Sequence, residues 1–190
     1  NFNDSVLEKF ELKSKEYYLV VGRLVPENNL KMILEAFVNY RGKKKLVVVG
    51  NVNDNPFAKS ISQNEKENVV FTDGIYEKDK LDSLRKHSFA YIHGHSVGGT
   101  NPALLEAMAA KCACICHDNE FNREVTQENQ VYFQSASGLM ELVNQIDNNK
   151  DAVSRYSEFA FKRVTENYTW ERISRKYEEV FESLLRSEKR

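Results

Sequence analysis

The chain has 190 residues, 41% of them hydrophobic, which is enough to bury one core and fits the length of a single domain. Its 27 Lys and Arg against 28 Asp and Glu leave a formal charge of −1, so no global field exists to recruit nucleic acid or an anionic membrane. No apolar run approaches the roughly 20 residues needed to cross a bilayer, and Asn1-Phe2-Asn3-Asp4 lacks a basic flank, an apolar stretch and a cleavage site. A cytoplasmic location is expected, and the missing initiator Met suggests a processed or truncated chain.

In chain order, residues 1–16 are polar, with a weak helical pattern at Val6, Leu7 and Phe10, and are expected to be a linker or lead-in. Tyr17 to Val21, closed by Gly22, is an apolar strand; after a loop of Arg23 to Asn29, Leu30, Ile33, Leu34, Phe37 and Val38 repeat at helical spacing. Leu46 to Val49, ended by Gly50-Asn51, has the continuous apolar character of a strand buried on both faces. A short helix is expected after Pro56, a strand at Val69 to Phe71, a helix at Lys78 to His87, and a strand at Phe89 to Ile92. Ala113 to Cys116 and a weaker Val131 to Phe133 complete six strands, each followed by a helical pattern. That alternation predicts an α/β fold with a doubly wound, Rossmann-like parallel sheet over residues 17–168. From Gly138 the pattern is helical, and the last helix starts near Thr169. Its apolar stripe (Trp170, Ile173, Tyr177, Val180, Phe181, Leu184) must cover either this sheet or a missing partner.

In doubly wound sheets, ligands sit beyond the carboxyl ends of the strands, where strand order reverses. Gly22-Arg23, Gly50-Asn51, Asp73-Gly74 and the stretch His95 to Asn101 all fall at such ends, so they are expected to line one rim. The last of these leads into a helix: Thr100 or Asn101 is a good N-cap, Pro102 suits the first turn, and Ala103 to Ala110 are strong helix formers. Free N–H groups and the positive dipole end at such a start favour a phosphate. Glu106, one turn inside on the face of Pro102, can accept hydrogen bonds from sugar hydroxyls. A tight turn into a core helix with an incidental Glu fits the same residues.

Cys112, Cys114 and Cys116 alternate and so share one face of a strand. Buried thiols explain them better than zinc, because no second ligand cluster accompanies them. His93-Gly94-His95 lacks a neighbouring carboxylate for a metal, and no metal is expected. Asn119, Glu120, Phe121 and Glu124 follow the fifth strand and are expected to shape a pocket at the same rim.

Taken together, Val21-Gly22-Arg23-Leu24-Val25-Pro26-Glu27, Val49-Gly50, Asp73-Gly74, Leu104-Leu105-Glu106-Ala107-Met108-Ala109, Glu124-Val125 and Thr169-Trp170 resemble the C-terminal, donor-binding half of group 1 (family 4-like) glycosyltransferases of the two-Rossmann-domain GT-B architecture. His95-Ser96-Val97-Gly98-Gly99-Thr100-Asn101-Pro102 resembles bacterial polysaccharide rhamnosyltransferases, which implies dTDP-rhamnose, or another nucleotide sugar such as a UDP-sugar, as donor. The resemblance places Gly22 and Arg23 near the diphosphate, Gly99, Thr100 and Asn101 as backbone N–H donors to it, and Glu106 on the nucleotide ribose. His95 sits where an imidazole can donate to a phosphate or a sugar oxygen.

Two positions depart from the family. Asn28 stands where a Lys is usual, and Gly98 stands where the first of two paired glutamates is usual. A 6-deoxy sugar with different hydroxyl stereochemistry accounts for the second; so does loss of activity. The resemblance implies retaining, metal-independent glycosyl transfer to a polysaccharide or lipid-linked acceptor, with no cofactor and no catalytic residue nameable in this half. It further implies a preceding N-terminal acceptor domain, with residues 1–16 as the linker from it and 169–190 as a crossing helix. The fragment alone is then expected to be inactive, with the parent enzyme in the cytoplasm or peripheral to the inner face of the membrane. A docking module that binds nucleotide sugar without transfer, and a GT-B nucleotide-sugar epimerase, are the alternatives.

Overall fold

The structure is a computed structural model that describes residues 2–63, 67–127 and 129–187, with Ser187 described by its backbone alone. The final residues of the expected crossing helix, 188–190, lie outside the described residues. The strands are β1 (Tyr17–Val21), β2 (Lys45–Val49), β3 (Val69–Phe71), β4 (Ala90–His93), β5 (Cys114–His117) and β6 (Val131–Phe133). The helices are α1 (Ser5–Lys9), α2 (Leu30–Val38), α3 (Pro56–Ser62), α4 (Lys78–His87), α5 (Pro102–Ala109), α6 (Glu120–Thr126), α7 (Ala136–Asp147), α8 (Lys150–Asn167) and α9 (Trp170–Ser187). All the strand pairs are parallel, in the order β3-β2-β1-β4-β5-β6. This is the Rossmann-like α/β sheet expected from the alternating pattern, with β4 and β5 each displaced by one residue.

Side chains alternate between two apolar layers because successive strand residues face opposite ways. Tyr18, Val20, Leu46, Val48, Ile92 and Ile115 pack with α2 and α7 through Ile33, Phe37, Leu139 and Val143. Tyr17, Leu19, Val47, Val49, Tyr91 and the three cysteines pack on the other face with Leu104 and Met108 of α5 and with Ala160 and Val164 of α8. All three cysteines are free and buried, and burial pushes their thiols up from the ordinary range.

Within residues 2–16, three apolar side chains pack against the domain. Val6, Leu7 and Leu12 are buried in the second layer, and Lys15 N donates to the His87 carbonyl at 2.7 Å. The last helix behaves in the opposite way. Trp170 is 84% exposed, and Tyr177, Val180, Phe181, Leu184 and Leu185 are exposed with it, so the stripe does not cover this sheet.

Candidate functional site

The strand order reverses between β1 and β4, and the loops that follow those two strands enclose a cavity of about 120 Å3. Gly22, Arg23, Asn28, His93, Gly94, His95 and Asn101 line it. A second cavity, of about 680 Å3, opens at the amino ends of the strands beside Lys15, Lys44 and Phe89. It lies at the opposite end of the sheet from the loops that follow β1 and β4, so the smaller cavity at the reversal point is the candidate site.

The cavity is built by short-range polar pinning. After β1 the chain makes a tight helical turn at Pro26–Asn28, and Asn29 takes a left-handed conformation (φ 50°), which Asn tolerates better than most residues. From there its side-chain amide donates to the Gly94 carbonyl at 2.8 Å. The backbone of the two loops meets so closely that a Cβ on Gly94 would lie 2.1 Å from the Asn28 carbonyl oxygen. Asn119 and Asn122 each donate to the His95 carbonyl at 3.0 Å, and Ser96 N donates to the Glu27 carbonyl at 3.0 Å. The loop after β4 is therefore held from three sides.

Asn28 does more than fill the place of a lysine. Its amide nitrogen donates to the Arg23 carbonyl at 2.6 Å, and its oxygen lies 2.7 Å from His95 Nδ1. The Arg23 side chain is exposed at the rim. Below these groups, His93 is 4% exposed, its ring stacks on Tyr91, and its Nε2 is buried with no hydrogen-bond partner among the described residues. Burial, with the neighbouring His95 and His117 adding to it, pulls His93 down to about 3, so this imidazole is neutral at any physiological pH.

Beyond His95, Gly98 turns the chain with φ +90°, a region that glycine enters without strain. Asn101 is the N-cap of α5, its side-chain oxygen accepting from Ala103 N at 2.9 Å, and Pro102 occupies the first turn. Gly98, Gly99 and Thr100 are exposed above the cavity rather than lining it. The amino end of an eight-residue helix thus opens at the point where strand order reverses.

Glu106 lies one turn further in, outside the cavity, with its side chain 52% exposed. One carboxylate oxygen, Oε2, is paired with Arg85 Nη2; Oε1 has no partner among the described residues. Arg85 is 2% exposed and its Nη1 also pairs with Asp82 at 3.1 Å. Arg85 thereby fixes the direction in which Glu106 offers its free oxygen. Arg85, His93 and Asn122 are the contributors that the sequence reading missed as site residues. For Arg85 no local signal exists, since it is a charged residue within the charged run Lys78–His87 of α4. Among the described residues, no group of three or more His, Cys, Asp or Glu side chains is placed to hold a metal ion.

The family profile described as "Glycosyl transferases group 1" matches residues 4–163. The chain belongs to the group 1 glycosyltransferases. Among curated proteins it is 28% identical over 193 residues to an uncharacterized glycosyltransferase of Methanocaldococcus jannaschii, covering 95% of this chain and 48% of that protein. It is 29% identical over 179 residues to a probable sucrose-phosphate synthase of Thermosipho melanesiensis, covering 89% of this chain and 42% of that protein. The chain thus spans somewhat less than half the length of the curated relatives it matches.

Solved structures share the fold at lower identity. The Anabaena protein HepE in complex with UDP-glucose superposes with a TM-score of 0.82 at 12% identity, over 95% of this chain and 52% of that one. Sucrose-phosphate synthase from Thermosynechococcus elongatus gives 0.79 at 15% identity, over 98% and 50%. The C-terminal domain of a group 1 family protein from Francisella tularensis gives 0.71 at 17% identity, over 88% of this chain and 93% of that domain. The present fold is therefore that of a GT-B C-terminal domain.

Proposed function

We propose that this domain binds a nucleoside diphosphate sugar at the β1/β4 seam and is the donor half of a retaining, metal-independent glycosyltransferase. The observation that carries this reading is the amino end of α5 opening beside Gly22 and Arg23 at the reversal of strand order, with the free oxygen of Glu106 one turn inside. The cavity is smaller than the roughly 300–1,000 Å3 typical of ligand pockets, so it takes only one part of the donor, with the rest lying across the rim.

In this arrangement the residues act by position and charge. The exposed Arg23 guanidinium, the backbone N–H groups of Gly99, Thr100 and Asn101, and the positive dipole end of α5 stabilise the charge that builds on the departing diphosphate. Glu106 accepts the ribose hydroxyls while Arg85 keeps the carboxylate oriented. No nucleophile or general base is assigned to this half, so its contribution is binding, alignment and leaving-group stabilisation. HepE, a structural neighbour, is solved with UDP-glucose and with UDP, which supports a nucleotide sugar as the donor class.

The finer reading is rhamnose delivered from dTDP-rhamnose to a polysaccharide or lipid-linked acceptor, supported by the stretch from His95 to Pro102 and by Gly98 offering no carboxylate to the sugar. An N-terminal acceptor domain completes the cleft, and the greater length of the curated relatives supports it. The parent enzyme is assigned to the cytoplasm, at the inner face of the membrane when its acceptor is lipid-linked.

Calorimetric titration of dTDP, UDP, GDP and their sugars into the protein and into Glu106→Ala tests this. Preferential binding of dTDP-rhamnose, weakened about tenfold or more without Glu106, is the expected result. Tighter binding of UDP-glucose or a GDP-sugar would discard rhamnose and keep the donor site. Failure of every nucleotide to bind the full-length parent would discard the site.

A further inference from the structure

The seam contains a chain of hydrogen bonds that fixes a histidine tautomer. The Asn28 amide nitrogen must face the Arg23 carbonyl, 2.6 Å away, because a carbonyl can only accept. The Asn28 oxygen then faces His95 Nδ1 at 2.7 Å and, being an acceptor only, requires the hydrogen to sit on Nδ1. In the neutral ring this leaves Nε2 with a bare lone pair. That nitrogen has no partner among the described residues and points towards the Gly98 turn, 3.6 Å from the position a Cβ would take there. The backbone that carries the ring is held at the Gly94 carbonyl by Asn29 and at the His95 carbonyl by Asn119 and Asn122, and the ring itself is held by Asn28.

The layout of the site says which part of a ligand reaches this nitrogen. Glu106 lies inside α5 and His95 lies before the glycine turn, so along the chain the two flank the helix start. A nucleotide sugar with its ribose at Glu106 and its diphosphate over Gly99 to Asn101 presents its sugar on the His95 side. A lone pair repels phosphate oxygens and accepts from hydroxyls. We infer that His95 Nε2 accepts a hydrogen bond from a hydroxyl of the donor sugar, making His95 a specificity residue for the sugar rather than a phosphate ligand, with Asn28 as the residue that sets its tautomer. This rests on the donor-site reading above.

The test compares each nucleotide with its own sugar conjugate, UDP with UDP-glucose and dTDP with dTDP-rhamnose, by calorimetry on the wild type, His95→Phe and Asn28→Ala. His95→Phe keeps a ring of similar breadth and removes the acceptor. The ratio of sugar-nucleotide affinity to nucleotide affinity should fall about three- to tenfold in His95→Phe, the size of one hydrogen bond, while the nucleotide alone binds unchanged. Asn28→Ala should lower the same ratio by less. Nitrogen-15 spectra of the histidine rings, with His95 identified by its loss in His95→Phe, should show the hydrogen on Nδ1 in the wild type. A hydrogen on Nε2, or nucleotide affinity falling with the ratio unchanged, overturns the inference and leaves the donor site standing. No binding of any of the four compounds to the wild-type parent overturns the donor site itself.

Discussion

Replacing Glu106 by Ala should cost stability as well as affinity, because the carboxylate is one of the two partners of a buried cation. Arg85 is 2% exposed and holds Asp82 with Nη1 at 3.1 Å and Glu106 with Nη2. A hydrogen bond to a charged group is worth about 1.5–3 kcal/mol, and the half-exposed carboxylate brings solvent screening that lowers this to about 1–2 kcal/mol. Asp82 keeps Arg85 from being fully stranded, so the roughly 3–5 kcal/mol of an abandoned buried charge is not reached. For a domain of this size that corresponds to a fall of about 3–6 °C in Tm. Thermal unfolding followed by circular dichroism measures it, alongside Arg85→Met and the double variant. In the double variant most of the loss from Glu106→Ala should vanish, because no cation remains to be left unpaired. An unchanged Tm in Glu106→Ala, or strictly additive losses, would refute the coupling. The comparison also separates a true loss of ribose contacts from partial unfolding when Glu106→Ala is titrated with nucleotide.

Asn101→Ala removes the N-cap of α5 and should destabilise by about 1 kcal/mol in urea unfolding, with nucleotide affinity falling as the helix start loosens. His93 has its folded-state value pulled down to about 3 against an ordinary value of about 6.5, so below pH 6.5 the unfolded chain binds the proton and the native state does not. Its cost is absent above that pH and grows as pH falls towards 3, reaching about 2 kcal/mol at pH 5. His93→Phe should flatten that acid decline in unfolding curves taken between pH 7 and pH 5. Phe181→Glu with Leu184→Glu on α9 should leave Tm within about 1 °C, because both side chains face solvent. A larger drop would mean that α9 packs on the domain after all.

The strands were legible because the sheet is buried on both faces: Tyr17 to Val21 and Leu46 to Val49 have no polar residue that could face water, and only a sheet covered twice accepts such runs. The helix start at α5 was legible for a local reason, since Asn101 and Pro102 encode a cap and a first turn in adjacent residues. Arg85 was not, since on α4 it stands among Asp82 and Lys86 and reads as part of a solvated face. Its partner Glu106 arrives from another helix, and no local pattern announces that approach. Asn28 was legible as the loss of a positive charge and illegible as a bridge between Arg23 and His95, which exists only once β4 is laid beside β1. The apolar stripe of α9 was plain in the periodicity, whereas its exposure depends on what lies beside it. Residues 1–16 carried too few apolar positions to signal packing, yet Val6, Leu7 and Leu12 suffice once α4 is there to receive them.

The pairing of β1 with β4 has a consequence for how the domain comes together. Every other neighbouring pair in the sheet joins strands that follow one another in the chain, whereas Tyr18 meets Ala90 across three intervening helices and two strands. Closing that loop costs about 0.8 kcal/mol more entropy than closing the one between β1 and β2. The sheet is therefore two wings of sequential strands, β1 to β3 and β4 to β6, joined by one long-range pairing. The cavity sits on that line, with Arg23 on one wing and His95 on the other. A ligand held by both would tie the two wings together, and its binding would stabilise the fold as a whole by mass action.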